Sequence, residues 1–302
     1  MKVAITGSTG LIGSALVEAL GGAGHTITRV ARRRGVAGEG GVVTWQPGRR
    51  EIDAAGLEGH DAVIHLAGEP VVGWWTARKK ARIRESRVRG TRLLSETLAR
   101  LTRPPRVLVS ASATGFYGNR SPEEPLDESS APGAGFLAGV ALEWERATAA
   151  AEAAGIRVVH ARFGLVLSPK GGALAAMLPV FRLGLGGRLG SGRQVWSWIT
   201  LEDVVAAVAH VLAAEQVAGP VNFVSPNPVT NAEFTRVLGR VLGRPAFFAV
   251  PAPAARLLLG EMADEMLLAG ARVVPRKLLD SGYRFLHPEL EAALRSILRR
   301  GA

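Results

Sequence analysis

Cysteine is absent from the 302 residues, which removes disulfides, thiolate nucleophiles and cysteine-ligated metal and fits a reducing compartment. Histidine is scarce. His25, His60, His65, His160, His210 and His287 never stand four residues apart, so no helix face offers paired imidazoles, and no metal is expected. No apolar run reaches the roughly 18 residues that a bilayer-crossing helix requires. The first residues lack the basic, apolar and small-residue succession of a signal peptide, and strand-like residues begin at Lys2. A cytoplasmic protein without a membrane partner is the expectation.

Acidic residues are outnumbered, and the formal charge is +11, carried mostly by arginine. Such an excess fits nucleic acid, an anionic ligand or a solvated surface. The arginines are spread along the chain, apart from Arg32, Arg33, Arg34 and the stretch from Arg78 to Arg92. No nucleic-acid-binding motif accompanies them. Phosphate binding and surface solvation are therefore preferred, with a small-molecule substrate and no nucleic acid among the expected partners.

Short β-branched runs alternate with helical patterns. Residues 2–6 (KVAIT), 25–31, 61–66 (DAVIHL), 106–112 (RVLVSAS), 156–163 (IRVVHARF) and 221–225 (VNFVS) read as buried strands. Helical faces lie between them: Leu11 to Leu20, a basic helix over about 78–100, and Glu143 to Ala154. WSWITLEDVVAAV reads as a strand end followed by a helix. Helices are also expected over Asn231–Leu242, Ala254–Leu268 and Glu289–Leu298, separated by proline breaks. The alternation predicts an α/β fold, a Rossmann-like doubly wound parallel sheet with a small, mostly helical C-terminal region on the substrate side. The expected division is a domain over 1–230, with an insertion at about 166–200, and a cap over 231–302. The expected assembly is a monomer or a homodimer.

TGSTGLIG sets Gly7, Gly10 and Gly13 between the first strand and the first helix. The first glycine permits the tight turn, the second admits a pyrophosphate to the backbone, and the third lets the helix approach the sheet. A helix N-terminus there offers unpaired N–H groups to phosphate. Gly7, Ser8, Thr9, Gly10, Leu11, Ile12 and Gly13 are thus candidate dinucleotide ligands. NAD-selective domains place an acid at the end of the second strand to accept from ribose hydroxyls. Here the chain reads VARRR, with no acid before Glu39. Arg32 and Arg33 could instead pair with a 2′-phosphate, so NADP(H) is the expected cofactor.

With TGSTGLIG, DAVIHLAG at 61–68, SASATGFYG at 110–118, PLDESSAP at 125–132 and WSWITLEDVV at 196–205, the chain resembles the extended short-chain dehydrogenase/reductase family. EPVVGWW, IRESRVRGT, FVSPNPVTNAEF and VVPRKLLDSGYRF resemble more narrowly its epimerase-family, or sugar-nucleotide-epimerase-like, subgroup, whose C-terminal module would cover about 251–298. The resemblance implies cofactor contacts from Leu66, Ala67, Gly68 and Ser110 as well.

It also implies a Tyr-x-x-x-Lys pair, in which the lysine lowers the phenol pKa so that tyrosinate can act as a base. This chain departs from that pattern. The tyrosine position falls at Phe136, the lysine position at Val140, and a supporting asparagine position near Arg87. Its two tyrosines, Tyr117 and Tyr283, have Ser121 and His287 four residues on. Only the hydroxyl persists, as Ser112 or Thr114. Three uses of the cofactor stay open: another group doing the acid-base work, such as Tyr117, Glu69 or Arg87 as an electrophile; hydride positioning alone; or binding without turnover. Arg188 and Arg193 are candidates for a substrate phosphate, and Trp198, with Trp74, Trp75 and Trp196, for stacking on a substrate ring. Two functions compete. One is an NADP(H)-dependent oxidoreductase or epimerase-like enzyme on a small polar or nucleotide-linked substrate. The other is a non-catalytic NADP(H)-binding regulator, for example in cell division.

Overall fold

The computed structural model of the chain describes residues 1–32 and 41–299. Its first half runs β1 (Lys2–Thr6), α1 (Leu11–Gly22), β2 (Thr26–Ala31), β3 (Val42–Gln46), β4 (Glu51–Ile52), β5 (Ala62–His65), α2 (Ala77–Leu98), β6 (Val107–Ala113), β7 (Pro125–Leu126), α3 (Phe136–Arg146) and α4 (Ala149–Ala153). There follow β8 (Arg157–Phe163), β9 (Leu165–Leu167), α5 (Gly172–Arg182), β10 (Gly187–Leu189), β11 (Val195–Trp196), β12 (Trp198–Thr200), α6 (Leu201–Ala213) and β13 (Gly219–Phe223). The C-terminal part holds β14 (Val229–Thr230), α7 (Asn231–Leu242), β15 (Phe248–Val250), α8 (Ala252–Leu259), β16 (Arg272–Val273), α9 (Arg276–Asp280) and α10 (Leu290–Arg299).

The main sheet has the order β13-β8-β6-β5-β1-β2-β3-β4, parallel throughout except for the antiparallel edge strand β4. Successive side chains of a strand point to opposite faces, so a central strand must be apolar on both. β1 obeys this rule: Val3 and Ile5 join Leu16 and Leu20 of α1 and Val204 and Val208 of α6 in one core. Ala4 faces the other core, with Leu94 and Leu98 of α2 and Ala151 of α4. Helices on both faces make the sheet doubly wound, as the alternating pattern predicts.

A third core gathers elements of the C-terminal half. It joins Leu174, Leu178 and Phe181 of α5 with Phe234 and Leu238 of α7 and Leu290, Leu294 and Ile297 of α10. The segment expected as an insertion and the helices expected as a cap therefore bury one common face. Trp198 sits in this core, fully buried, with its indole N–H donating to the Asn227 carbonyl at 2.9 Å. The ring named as a candidate for substrate stacking packs within this core. The tail does not only cap. Leu278 and Tyr283 return to the sheet core, and buried Asp203 of α6 accepts from the Tyr283 hydroxyl (2.9 Å) and from the backbone N–H groups of Leu286 and His287.

Two helices differ from the sequence expectation. α3 begins at Phe136 rather than Glu143, and the helix expected over 254–268 ends at Leu259. Gly260, at φ +59°, turns the chain there, and a single π-helical turn follows at Ala263–Leu267. Among the described residues no helix is long and apolar enough to cross a membrane.

Candidate functional site

Three glycines shape the mouth of the first crossover. Gly7 adopts φ +66°, and a Cβ there would stand 2.9 Å from the Leu66 carbonyl carbon. A Cβ on Gly13 would stand 2.9 Å from Ser8 Cα and overlap the Gly7 carbonyl oxygen. The Gly10 N–H donates to that oxygen at 3.0 Å, closing the turn. Gly10 is also the N-cap of α1 and has no side chain to accept from the first helical amides. Those amides and the positive end of the helix dipole are left for an anion. Glycine at 7 and 13 lets the turn close on itself and against the end of β5, and the bare helix start it leaves fits a pyrophosphate.

The adjoining wall is the end of β5. Thr6 Oγ1 accepts from the N–H groups of Leu66 (3.0 Å) and Ala67 (3.2 Å), which fixes the strand where it leaves the sheet. With two donors on its oxygen, the Thr6 hydroxyl donates its own proton to His65 Nδ1, 2.7 Å away. The proton of His65 therefore sits on Nε2 and goes to Thr91 Oγ1 at 2.9 Å, which also accepts from Trp144 Nε1 at 2.8 Å. Complete burial holds the His65 pKa down at about 4, so the ring stays neutral. This chain of hydrogen bonds ties β1, β5, α2 and α3 behind the loop.

Arg87 of α2 braces the continuation. Its guanidinium donates to the carbonyls of Glu69 (2.9 Å) and Ile83 (3.1 Å), lies over the Trp144 ring and packs beside Gly68. Desolvation pushes its pKa down to about 10, which leaves it charged at neutral pH. Glu69 pairs with Lys79 at 3.0 Å and Arg82 at 3.4 Å, and the Lys79 hydrogen bond holds its carboxyl below the usual range. It is a paired anion and not a poised acid. At the end of β2, Arg32 is exposed, and Arg29 donates to the Ser8 carbonyl at 3.4 Å. Arg33 lies outside the described residues.

The hydroxyl strand β6 points inward. Ser112 donates to Glu145 Oε1 at 2.7 Å, and Glu145 holds Arg162 in a two-pronged pair, both prongs 2.8 Å. Arg162 Nη1 donates to the Tyr117 oxygen at 2.9 Å, and its guanidinium carbon stands 3.5 Å over the Phe116 ring. The Tyr117 hydroxyl also lies 2.8 Å from Asn222 Oδ1 and 2.9 Å from the Asp127 carbonyl. Ser112, Glu145, Arg162, Tyr117 and Asn222 are all buried. Burial pushes the Tyr117 phenol up to about 12. Tyr117, the candidate acid or base, thus lies fully buried in this network with its phenol protonated at neutral pH. Ser110, also buried on β6, has a hydroxyl without a partner among the described residues.

α3 carries Phe136 and Val140 four residues apart, one turn from each other on its surface. Phe136 packs edge-on against Trp75 and lies under Lys80 Nζ at 4.7 Å, while Val140 is buried. The first amides of α3, Phe136 and Leu137, donate to the carboxylate of Glu265 at 3.0 and 3.1 Å. Neither Phe136 nor Val140 can pass a proton. Arg188 and Arg193 stand elsewhere. Arg188 donates to the carbonyls of Gly190 and Ser191 in its own turn. Arg193 lines an open cleft of about 510 Å³ with Pro122, Glu123, Pro125, Thr230 and Arg272, none of them in the glycine loop. No cluster suited to a metal ion occurs among the described residues.

A parallel sheet of this order, with a glycine cradle at its first crossover, defines a dinucleotide-binding protein of the Rossmann class. The chain belongs to the NAD dependent epimerase/dehydratase family, which it matches over residues 3–224, and residues 250–297 match a C-terminal domain of unknown function. It is 45% identical to an epimerase family protein of Mycobacterium bovis, over 97% of this chain and 96% of that one. It is 36% identical to the human epimerase family protein SDR39U1, over 99% and 100%. Among solved structures, human SDR39U1 with NADPH superposes with a TM-score of 0.88 at 35% identity, covering 99% of both chains. The nucleoside-diphosphate sugar epimerase from Corynebacterium glutamicum gives 0.80 at 36% identity, covering 99% of this chain and 58% of that one. The family resemblance of the sequence motifs and the α/β fold class are both upheld.

Proposed function

We propose that this protein binds NADP(H) on the glycine loop between β1 and α1 and uses it without the tyrosine–lysine proton relay of its wider family. The observation that carries the first half is the loop itself, a turn that only glycine at 7 and 13 lets close tightly against β5, leaving the start of α1 with no side-chain cap. Arg32 at the end of β2 supplies positive charge where an NAD-selective protein has an acid. The NADPH in the human relative supports the same reading. An Arg32→Asp variant is expected to lose at least tenfold in NADPH affinity with NADH affinity little changed. An equal loss for both nucleotides, or none for either, would refute the arginine's role.

When bound, the nicotinamide supplies hydride chemistry. An oxidoreductase or epimerase-like activity on a small polar or nucleotide-linked molecule is one use of it, and family membership supports that use. Phe136, Val140 and the inward-turned Ser112 favour the other use, in which the protein holds NADP(H) as a regulatory ligand. NADPH absorbance followed with a panel of carbonyl compounds and sugar nucleotides separates the two. Silence alongside tight binding supports the regulator, whereas turnover with any panel member supports the enzyme.

A further inference from the structure

Between Glu152 and Glu202, and again between Glu233 and Glu261, the chain contains no aspartate or glutamate. The fold brings these two stretches together. α5 and α7 share a core, and β10 pairs with β15. More than half of the large apolar side chains exposed by the described residues fall within them. In the turn after α5, Leu183 is 75% exposed and Leu185 54%, and the Leu185 N–H donates to the Val180 carbonyl at 3.1 Å. Gly184 of that turn abuts Pro245, and a Cβ on it would stand 3.3 Å from the proline ring. Two residues beyond Pro245, Phe247 (75% exposed) and Phe248 (45%) stack on each other at 4.7 Å. Arg182 and Arg244, both exposed, flank the patch in sequence.

Side chains of this kind exposed together mark a contact surface. We propose that this face docks on an anionic phospholipid bilayer, with Leu183, Leu185, Phe247 and Phe248 entering the headgroup boundary and Arg182 and Arg244 meeting lipid phosphates. The charge pattern selects this occupant. A second copy would set like-charged arginines against each other with no carboxylate in either stretch to offset them, whereas a bilayer bearing anionic headgroups supplies both the apolar layer and the counter-charge. Docking of this kind leaves the fold unthreaded through the membrane, and it rests on no assumption about the nucleotide.

The test is co-sedimentation of the full chain with sucrose-loaded vesicles of phosphatidylcholine mixed with phosphatidylglycerol, beside vesicles of phosphatidylcholine alone. At least tenfold tighter binding to the mixed vesicles is expected, weakening as salt is raised. A Leu183→Ser, Phe247→Ser variant should bind them at least tenfold more weakly while keeping the wild-type melting temperature and NADPH affinity. An Arg182→Glu, Arg244→Glu variant should lose the preference for phosphatidylglycerol. Equal binding to the two vesicle types, or wild-type binding by the serine variant, would overturn the proposal. So would lipid-free dimerisation in sedimentation velocity that the serine variant abolishes, since the patch would then belong to a second copy.

Discussion

Replacing Glu145 by alanine leaves the Arg162 guanidinium, 3% exposed, without the carboxylate that now meets two of its nitrogens. The Ser112 hydroxyl loses its acceptor in the same step. Breaking a buried ion pair by removing one partner costs about 3–5 kcal/mol, because the remaining charge is neither solvated nor paired. At roughly 2 °C per kcal/mol for a chain of this size, the melting temperature should fall on the order of 6–10 °C. Scanning calorimetry reads the drop, and urea titration checks that it reflects stability rather than scan rate. A paired replacement, Glu145→Leu with Arg162→Met, removes both charges together and should recover most of the loss. NADPH affinity of the paired variant should stay near wild type, since the pair lies inside α3 and β8 and touches no residue of the glycine loop. A melting temperature for Glu145→Ala within about 2 °C of wild type would refute the reasoning, since it would mean less than roughly 1 kcal/mol was lost.

Further outcomes follow from the same geometry. Gly13→Ala forces a methyl onto the Gly7 carbonyl, and NADPH affinity in a fluorescence titration should fall at least tenfold with far-ultraviolet dichroism unchanged; retained affinity would contradict the cradle. His65 is held neutral, with its pKa down at about 4 against an ordinary value near 6.5. Between those values the unfolded chain binds a proton that the folded chain refuses, so this contribution is fully present above about pH 6.5 and fades as pH falls toward 4, by about 3 kcal/mol in all. Urea unfolding of wild type and His65→Gln across that range should show the steeper pH dependence in the wild type, and parallel curves would contradict it. Arg87→Ala should free the loop at Gly68–Glu69 and weaken NADPH binding by a few-fold, read by the same titration; unchanged binding would remove Arg87 from the wall of the site.

Much of the fold was legible because local pattern and tertiary role agree. In β1 and α1 the β-branched run, the spacing of Gly7, Gly10 and Gly13 and the face of Leu16 and Leu20 all point to one crossover. Where the cause lies far along the chain, the reading failed. The start of α3 carries no capping side chain of its own, because Glu265, remote in sequence, accepts from Phe136 and Leu137. The serine on β6 was legible as a hydroxyl but not as a donor to Glu145, since only the packing of α3 on β6 brings the two together. Tyr117 and Trp198 are polar-tipped aromatics whose partners, Asn222 and the Asn227 carbonyl, lie on distant segments. Within the site, Thr6 and His65 also escaped notice. Their role is to hold the end of β5 rather than to touch a ligand, and no motif spacing announces it.

NADP(H) recognition is tested most directly by calorimetric titration of the wild-type protein with NADPH and with NADH under the same low-salt conditions. A guanidinium on the 2′-phosphate adds charge-assisted hydrogen bonds of about 1.5–3 kcal/mol, so NADPH should bind at least tenfold more tightly. Equal affinities, or no heat with either nucleotide, would contradict it.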